Sequence, residues 1–497
     1  MKKLIVWLML CGMLLAMLAG CVEKAPEQQG STETDEKGSV VVEEESYWMN
    51  PDLKLDKVDL NLKDVEVVIL SYNEYDIAPE ESSSDPLEDA VYRRDDKLEN
   101  ELGIEFNCAY QSDYNLISTA VKNDVTAGTG EYHIVYQHMI DAARALAPGG
   151  YLYNLTDLEY VDFDSEWWDQ DCKKGFVIGD SMMMVCGDLL PSAMLITAAV
   201  LFNKNQFEEN GWEFPYDDAR EGKWTLDDML EMTKDQTKDL NGDGKIVYTD
   251  DYFGVTAWAA DADFNLFFGT GATMFSYDAD HLPVFDPDTD RLQQIYDKIY
   301  KLIITQNSFH VTWAQYDKDP GMYTATIDVF RDGRALFFPT YLSTATSLRD
   351  MVDDYGVLPN PKYDEKQVDY LGFVNGSASM ACVPSSLSDD NLAVAGYMLE
   401  ALASSSYTMV TDTLYEKVAK SKNARDPESA QMVDIIIRHK VFDFGYSHFS
   451  GQDFPCFNIA QTALQSGKTS IVKDITTSER RTRTELKKIL KAYGYDD

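Results

Sequence analysis

Apolar strands alternate with amphipathic helices at the start of the folded part of the chain. The hydrophobic runs predict three buried strands, at residues 65–70, 104–110 and 132–137. Helical periodicity separates them, at residues 85–103 and about 112–127. In the first helix, Asp85 is placed as the N-cap, Pro86 occupies the first turn and Gly103 ends the helix. This alternation predicts a mainly parallel sheet with helical crossovers.

Polar side chains directly follow two of these predicted strands. In parallel sheets, ligands bind beyond the C-terminal ends of the strands. The sequence therefore predicts ligand contacts at Tyr72 and Asn73 after the first strand, and at Gln137 and His138 after the third.

The second half of the chain repeats the same style of pattern. Strands are predicted at residues 252–258 and 334–340. Helices are predicted at residues 223–238, 389–405 and 479–494. Thr225, with Asp228 three residues later, has the spacing of a helix N-cap. With about 450 residues outside the N-terminal region, we expect two lobes rather than one core.

The charge of the chain excludes some classes of partner. The net charge is −42 at pH 7. Such a surface repels nucleic acids and anionic lipids, so we expect neither as a partner.

The N-terminus has the features of an export signal. Lys2 and Lys3 precede an apolar run from residue 4 to about 19 that is too short for a lasting membrane span. Small residues before Cys21 resemble the lipobox of bacterial lipoproteins. This predicts a signal peptide at 1–20, lipidation of Cys21, an acidic flexible tether at 21–60, and a body on the outer face of the cytoplasmic membrane. The alternative is an ordinary signal with an incidental cysteine.

The remaining cysteines do not predict a disulfide framework. They are five in number and widely spaced: Cys108, Cys172, Cys186, Cys382 and Cys456. An odd number without a CxxC motif favours buried free thiols. Cys172 and Cys186 alone are close in sequence, and a bridge between them is not the favoured interpretation.

The segment DLNGDGKIVYTD (239–250) has the spacing of a calcium loop. Its oxygen donors fall at the positions that such a loop uses, and we predict the ligands Asp239, Asn241, Asp243, Lys245 (through its carbonyl) and Asp250. A strand pattern follows, rather than the second helix of a sensor, so we predict a structural Ca²⁺. The alternative is a metal-free turn between helix and strand.

No catalytic motif stands out. The histidines show no HExxH spacing and the chain has no GxSxG. Carboxylates are numerous enough for a glycosidase pair, but no spacing singles one out. The motifs of the sequence therefore single out no catalytic site.

Aromatic residues lie next to polar ones at predicted strand ends and loops, at Trp258, Trp313, Tyr341 and Tyr446. A sugar stacks its C–H face on such rings and needs polar side chains for its hydroxyls. Packing in a core is the alternative for each ring taken alone.

Segments spread over residues 61–497 resemble the carbohydrate-type extracellular solute-binding proteins of bacterial ABC importers, the relatives of maltodextrin-binding protein. The resemblance is carried by EYHIVYQ, GGYLYNLTDL, VLFNKNQFEENGW, the NGDGK loop before YFGV, FRDGRALFFP, YGVLPNPKYDEKQ and VPSSLSDDNLAVAGYMLEALA. A loop of the NGDGK type recurs in family members from Gram-positive bacteria, which implies a lipoprotein of such an organism.

The resemblance implies an α/β fold of two lobes, each a mainly parallel sheet flanked by helices, of the periplasmic-binding-protein type. Lobe one would be residues 61–186 plus 376–425, and lobe two residues 187–375 plus 426–497, with crossings near 184–188 and 373–376. The implied cleft residues are Tyr72, Asn73, Gln137, Asp188, Trp258, Tyr341 and Tyr446.

The resemblance also implies a function. A monomer would capture a carbohydrate, an oligosaccharide in our interpretation, by hinge closure and deliver it to ABC importer permease subunits. No bond would be made or broken, so the resemblance implies a binding protein and not an enzyme. An extracellular lipid-anchored glycoside hydrolase and a structural cell-surface lipoprotein are the alternatives.

Overall fold

The computed structural model describes residues 60–79, 81–348, 350–419, 427–449 and 454–495. The predicted signal peptide, Cys21 and the tether up to residue 59 lie outside the described residues. Both sheets below belong to one compact unit.

The strands are numbered in chain order. They are β1 (Glu66–Ser71), β2 (Glu105–Tyr110), β3 (Ile134–His138), β4 (Val177–Ile178), β5 (Ser181–Met182), β6 (Ala198–Asn203), β7 (Phe253–Trp258), β8 (Phe275–Tyr277), β9 (Pro283–Phe285), β10 (Phe309–Val311), β11 (Ala335–Tyr341), β12 (Tyr355–Leu358), β13 (Gly372–Phe373), β14 (Ser379–Cys382) and β15 (Lys440–Val441).

The α-helices are numbered in the same way. They are α1 (Pro86–Leu102), α2 (Tyr114–Ala127), α3 (Met139–Asp141), α4 (Gln170–Phe176), α5 (Pro191–Leu195), α6 (Lys204–Asn210), α7 (Tyr216–Arg220), α8 (Leu226–Thr233), α9 (Ala259–Gly269), α10 (Thr289–Tyr300), α11 (Trp313–Tyr316), α12 (Gly321–Arg331), α13 (Leu342–Ser347), α14 (Asp389–Met409), α15 (Thr411–Ala419), α16 (Pro427–Arg438), α17 (Phe444–His448), α18 (Pro455–Gln465) and α19 (Val472–Ala492). Short 3₁₀ turns lie at Glu74–Asp76, Ala147–Gly149 and Leu155–Asp157, and π-helical turns at Ala142–Leu146 and Lys301–Thr305.

The first sheet has the strand order β14–β3–β1–β2. β1 is parallel to β2 and β3, whereas β14 is antiparallel to β3. The predicted strands and helices of this region are confirmed to within about two residues, and Asp85 caps α1 by accepting hydrogen bonds from the N–H groups of Leu87 and Glu88. The C-terminal ends of β1, β2 and β3 therefore meet at one edge.

The second sheet has the order β10–β7–β11–β6–β12. β7 is parallel to β10 and β11, and β6 is antiparallel to β11 and β12. The strands β6, β7, β11 and β12 are buried along their whole length, because helices cover the sheet. The ends of β7, β10 and β11 share one edge.

Two crossing segments join the sheets. In the first, Val185 still pairs with Ala381 beside the first sheet, and the chain enters the second sheet at Ala198. In the second, Val374 pairs with Thr197, and β14 begins at Ser379. The chain thus passes between the sheets at residues 186–197 and again at 374–378. The lobe boundaries inferred from the sequence remain a prediction.

Three helix predictions were wrong in their bounds. The helix predicted at 389–405 continues to Met409. The helix predicted at 223–238 ends at Thr233, because the chain turns away at Lys234 and Asp235 takes a left-handed φ of 59°. Its predicted cap is confirmed as a capping box of Thr225 and Asp228. The last helix begins at Val472 rather than Glu479, and its additional first turns bury Ile475 and Ser478.

Candidate functional site

Three tyrosines from the predicted site converge on the second crossing segment. The Tyr72 hydroxyl, after β1, donates to the Ser377 carbonyl. The Asn375 side-chain amide donates to the hydroxyl of Tyr341 at 2.6 Å. The Gly376 N–H donates to the Tyr446 hydroxyl at 3.1 Å.

These contacts tie both sheets to three consecutive residues, 375–377. Tyr72 follows the first sheet, whereas Tyr341 ends β11 of the second sheet and Tyr446 lies in α17. Burial raises the pKa of all three phenols, so they act as neutral hydrogen-bonding groups at neutral pH.

Gly376 has neighbours on both sides. A Cβ at this position would lie 2.3 Å from Cδ1 of Ile140 and 3.0 Å from Cε1 of Tyr446. The Ile140 N–H also donates to the Gly376 carbonyl at 3.4 Å. The crossing therefore passes between the two side chains only because residue 376 has no side chain.

The first crossing is also anchored to the first sheet. Asp76, in the 3₁₀ turn after β1, accepts hydrogen bonds from the Ser192 N–H at 3.0 Å and the Ser192 hydroxyl at 2.7 Å. Burial raises the pKa of the Asp76 carboxyl to about 6. Ser192 belongs to α5, so this carboxylate holds the helix of the first crossing against β1.

An aromatic cluster lies at the end of β7 and β10. Val311 pairs with Trp258 where β10 and β7 end, and Trp258 contacts the rings of Trp313, Tyr316 and Tyr323 with centroid distances of 4.8, 5.0 and 5.8 Å. Trp258 is 6% exposed, whereas Trp313 and Tyr323 are 41% and 39% exposed. We call these four residues the aromatic platform. Its buried tryptophan supports rings that remain available to a ligand.

Asp261 is a neighbour of both this platform and Tyr341. Its carboxyl lies close enough to the Tyr341 hydroxyl, which accepts from Asn375, for each group to shift the pKa of the other. Burial, together with repulsion from Asp263, raises the pKa of Asp261 to about 8. Asp261 lies in the first turn of α9, three residues after Trp258. Burial raises the pKa of Tyr323 to about 12, and the charge of Asp261 adds to this shift. Sequence analysis missed Asp261, although it belongs to an acidic stretch directly after a predicted strand.

The first sheet contributes a second aromatic group at its own edge. His138 stacks on Tyr114 with a centroid distance of 4.5 Å and meets the edge of Tyr72 at 5.6 Å. Its Nδ1 lies 3.4 Å from Oδ2 of Asp141, and burial lowers the pKa of the imidazole to about 4. His138 is therefore neutral at neutral pH. Arg144 pairs with the other carboxylate oxygen of Asp141 at 3.2 Å.

The side chains of Asn73 and Gln137 form hydrogen bonds within the protein. The Asn73 side-chain oxygen accepts from the Tyr75 N–H at 3.1 Å and caps the 3₁₀ turn. Gln137 is fully buried, and its amide donates to the Ser118 hydroxyl at 2.8 Å and to the Tyr114 carbonyl at 3.1 Å. The side chain of Gln137 thus points into the first lobe, a direction that the sequence pattern did not specify.

Asp188 lies at a different place. It lines a cavity of about 150 Å³ together with Trp167, Cys186, Thr411 and Lys440, and no platform residue lines that cavity. Burial raises the pKa of Asp188 to about 7, although the nearby Lys440 ammonium opposes the shift. The structure therefore does not bring Asp188 together with the aromatic platform.

The predicted calcium loop is held by its own side chains. Asp239 accepts from the N–H groups of Gly242 and Gly244 at 2.7 and 2.8 Å, and Asp251 accepts from those of Leu240 and Val247 at 2.9 and 2.7 Å. Asp251, which sequence analysis did not single out, is fully buried.

The other predicted metal ligands also act in turns. The side chains of Asn241 and Asp243 accept from the N–H groups two residues later, at 2.9 and 2.8 Å. Across the described residues, no three His, Cys, Asp or Glu side chains are grouped closely enough to hold a metal ion. Ca²⁺ binding by Asp239, Asn241, Asp243, Lys245 and Asp250 stays a prediction.

No helix in the described ranges combines the length and apolar character needed to cross a membrane.

Comparison with known proteins gives the family and the fold. A family model described as bacterial extracellular solute-binding protein matches residues 94–431. No protein of curated function matches the chain.

Several solved structures share the fold. The cyclo/maltodextrin-binding protein complexed with maltotetraose has 15% identity and a TM-score of 0.56, over 84% of this chain and 97% of that chain. The GacH receptor of Streptomyces glaucescens has 14% identity and a TM-score of 0.54, over 85% and 98%. The maltodextrin-binding domain MalE from Bdellovibrio bacteriovorus bound to maltotriose has 17% identity and a TM-score of 0.52, over 84% and 100%.

These similarities confirm the predicted fold class, two α/β lobes of the solute-binding type. The family model covers well over half of the sequence. The chain therefore belongs to the family of bacterial extracellular solute-binding proteins.

Proposed function

We propose that this protein captures a carbohydrate between its two lobes and delivers it to an ABC importer without changing it. The observation that carries the proposal is the aromatic platform at the carboxyl edge of the second sheet. Asp261 next to it is a neighbour of Tyr341, which contacts a crossing segment that the first lobe also holds. Maltodextrins bound to proteins of the same fold support the choice of a sugar.

The chemistry of the platform suits a sugar ring. Trp313 and Tyr323 are exposed and supported from behind by Trp258, so the C–H face of a pyranose can stack on them. Tyr114 and His138 offer a second stacked pair on the first lobe. A ligand reaching from one set of rings to the other would be an oligosaccharide rather than a single sugar.

We assign different roles to the predicted site residues. Trp258 with its platform contacts the ligand, and Tyr72 borders the lobe-one rings. Tyr341 and Tyr446 hold the second crossing, Asn73 caps the turn after β1, and Gln137 fixes the end of β3. We assign Asp188 no direct contact with the sugar, because its cavity lies apart from the platform.

Binding then drives closure by differential affinity. A ligand that contacts both lobes stabilises the closed arrangement relative to the open one, and the crossing segments at 186–197 and 374–378 absorb the movement. The permease subunits would recognise the closed form. No covalent chemistry is needed.

The proposal includes attachment to the membrane and a structural metal. Lipidation of Cys21 would anchor the protein outside the cytoplasmic membrane, and its support is the lipobox-like sequence. A Ca²⁺ held by the 239–250 loop would be structural, since the donors all come from that loop and the platform lies elsewhere. The hydrogen bonds within the loop leave carboxylate lone pairs available for a cation.

A thermal-shift screen with product analysis tests the proposal. The protein from residue 47 onward, which comprises the compact unit, is tested against oligosaccharides, peptides and amino acids. Saturable stabilisation by a sugar that is recovered unchanged is the expected result. Breakdown of the sugar would identify a glycoside hydrolase, and no response to any ligand would favour a structural lipoprotein.

A further inference from the structure

Two thiols meet at the start of the first crossing. Cys172 lies in the first turn of α4, and Cys186 follows Val185, which pairs with the edge of the first sheet. The Cys186 N–H donates to the Cys172 sulfur at 3.2 Å, and Cys172 is near enough to help raise the pKa of the buried Cys186 thiol. The side chains are 0% and 1% exposed.

The backbone fixes this approach. Trp168 pairs with Gly187 in an antiparallel bridge, the Asp169 N–H donates to the Cys186 carbonyl at 3.1 Å, and the Asp188 N–H donates to the Trp167 carbonyl at 2.9 Å. These bonds hold residues 167–169 against 186–188 on both sides of Cys186. The proximity of the sulfurs is therefore set by the fold and not by a side-chain rotamer alone.

One of the two residues lines a cavity. Cys186 lines the 150 Å³ cavity together with Lys440. The Lys440 ammonium, paired with Asp169, lies close enough to favour a thiolate at Cys186, whereas burial opposes it and raises the pKa of that thiol. Exchange at Cys186 is thus slow in the folded protein and faster while the chain is folding.

We propose that Cys172 and Cys186 form a disulfide as the exported chain folds, fastening the first crossing to α4. The oxidant is a small-molecule or protein disulfide. The Cys186 thiolate attacks it, forms a mixed disulfide and releases one thiol. The Cys172 thiolate then attacks the Cys186 sulfur and releases the second thiol. Two protein thiols are oxidised and one external disulfide is reduced to two thiols.

The bond would stabilise the end of the crossing. It closes a short loop between residues 172 and 186, which lowers the entropy of the unfolded chain. It also fixes the point at which the chain leaves the first sheet, while residues 187–197 stay able to move.

Refolding of the purified protein in a mixture of oxidised and reduced glutathione tests this inference. After alkylation and digestion under non-reducing conditions, we expect Cys172 and Cys186 to be unalkylated and linked by a disulfide. Cys108, Cys382 and Cys456 should be alkylated. The melting temperature should rise by a few degrees over that of the reduced protein.

Two variants test the bridge, and a third is the matched control. Cys172→Ser and Cys186→Ser should each lose the bridge and the rise in melting temperature. Cys456→Ser, which removes a buried thiol in α18, should retain both. Recovery of wild-type protein with five alkylated thiols from residue 108 onward, or a bridge between Cys172 and Cys382, would overturn the proposal. The readout needs no ligand, so it is independent of the proposed sugar binding.

Discussion

Single residues decide how the crossing segment passes between the lobes. Tyr72, Tyr341 and Tyr446 contact residues 375–377 through their hydroxyls, and Gly376 fits between Ile140 and Tyr446. The three tyrosines could not be replaced by less polar residues without losing these hydrogen bonds. Gly376 could not be replaced by a larger residue without a steric clash. The path of the second crossing is thus specified by hydrogen bonds and by the absence of a side chain at residue 376.

Gly376→Ala should destabilise the protein. The added methyl group would lie 2.3 Å from Ile140, so either the side chain or the crossing must move, at a cost of about 1–3 kcal/mol. We expect a lower midpoint of urea unfolding and weaker ligand binding. Gly321→Ala, in a helix where the nearest atom is a flexible Asp319 carboxylate at 3.1 Å, is the matched control and should change neither. Wild-type stability and affinity in Gly376→Ala would contradict the close packing of residue 376 against Ile140 and Tyr446.

Asp261 should make stability depend on pH. Its pKa is raised from 3.8 to about 8 by burial, so between these values the folded protein keeps a proton that the unfolded chain has released. This contribution to stability is lost as the pH rises through that range. Asp261→Asn should therefore show a shallower fall in melting temperature from pH 5 to pH 8 than wild type.

The control for this series is Asp317→Asn, which removes an exposed charge from the same lobe. The melting temperature of this variant should fall between pH 5 and pH 8 as steeply as that of wild type. A wild-type slope in Asp261→Asn would show that this carboxyl is already ionised in the folded protein.

At this scale, the sequence predicted Tyr72 and Tyr341 as ligand contacts at strand ends, but not that both contact the second crossing segment. Tyr72 and Tyr341 could be found because each ends or follows a strand. The inward direction of Gln137 could not, since it depends on Ser118 and Tyr114, which come from a helix packed by the tertiary fold. The isolation of Asp188 depends likewise on residues distant in sequence.

At the scale of elements, the platform is built where two parallel strands end together. β7 supplies the buried Trp258, and the turn after β10 supplies the exposed Trp313. In the proposed site, the buried ring stabilises the fold and its exposed neighbours contact the ligand. The helix α9 then carries Asp261 back toward the crossing.

Trp313→Ala should weaken ligand binding about tenfold, because an aromatic contact worth roughly 1 kcal/mol or more is removed. The loss of stability should be small, since the ring is 41% exposed. Trp313→Phe should keep most of the affinity. Titration calorimetry with the stabilising sugar measures both.

Val352→Ala removes an apolar side chain that is 94% exposed and serves as the control for truncation on the surface. It should bind like wild type. Equal affinities of wild type and Trp313→Ala would exclude the platform as the sugar site.

The 239–250 loop should stabilise the fold without taking part in binding. If Ca²⁺ is bound, a chelator should lower the melting temperature of wild type and leave the affinity for ligand almost unchanged. Asp239→Asn should be insensitive to the chelator. Absence of bound metal in native mass spectrometry of the wild-type protein would contradict the calcium prediction.

Local patterns predicted most elements because the burial periodicity and the capping of an element depend on residues close in sequence. Helix α1, with Asp85 and Gly103 at its ends, is an example. They failed where long-range contacts decide the bounds. The early end of α8 is one case: the Thr233 hydroxyl bonds to Gln306, which lies far along the chain.

At the scale of the whole molecule, two sheets share the same two crossings. The antiparallel strands β14 and β12 complete their sheets after long intervening segments. Such pairings could not be derived from hydrophobic periodicity, and the resemblance to solute-binding proteins supplied the two-lobed arrangement instead. The family and fold comparisons confirm it.

Hinge closure on an unmodified sugar is the central claim, and small-angle X-ray scattering tests it most directly. The protein is measured alone and with a saturating amount of the sugar that gives the largest thermal shift. We predict a smaller radius of gyration in the presence of sugar, with Trp313→Ala requiring more sugar for the same change. An unchanged radius at saturation, with binding verified by calorimetry in the same sample, would contradict the account.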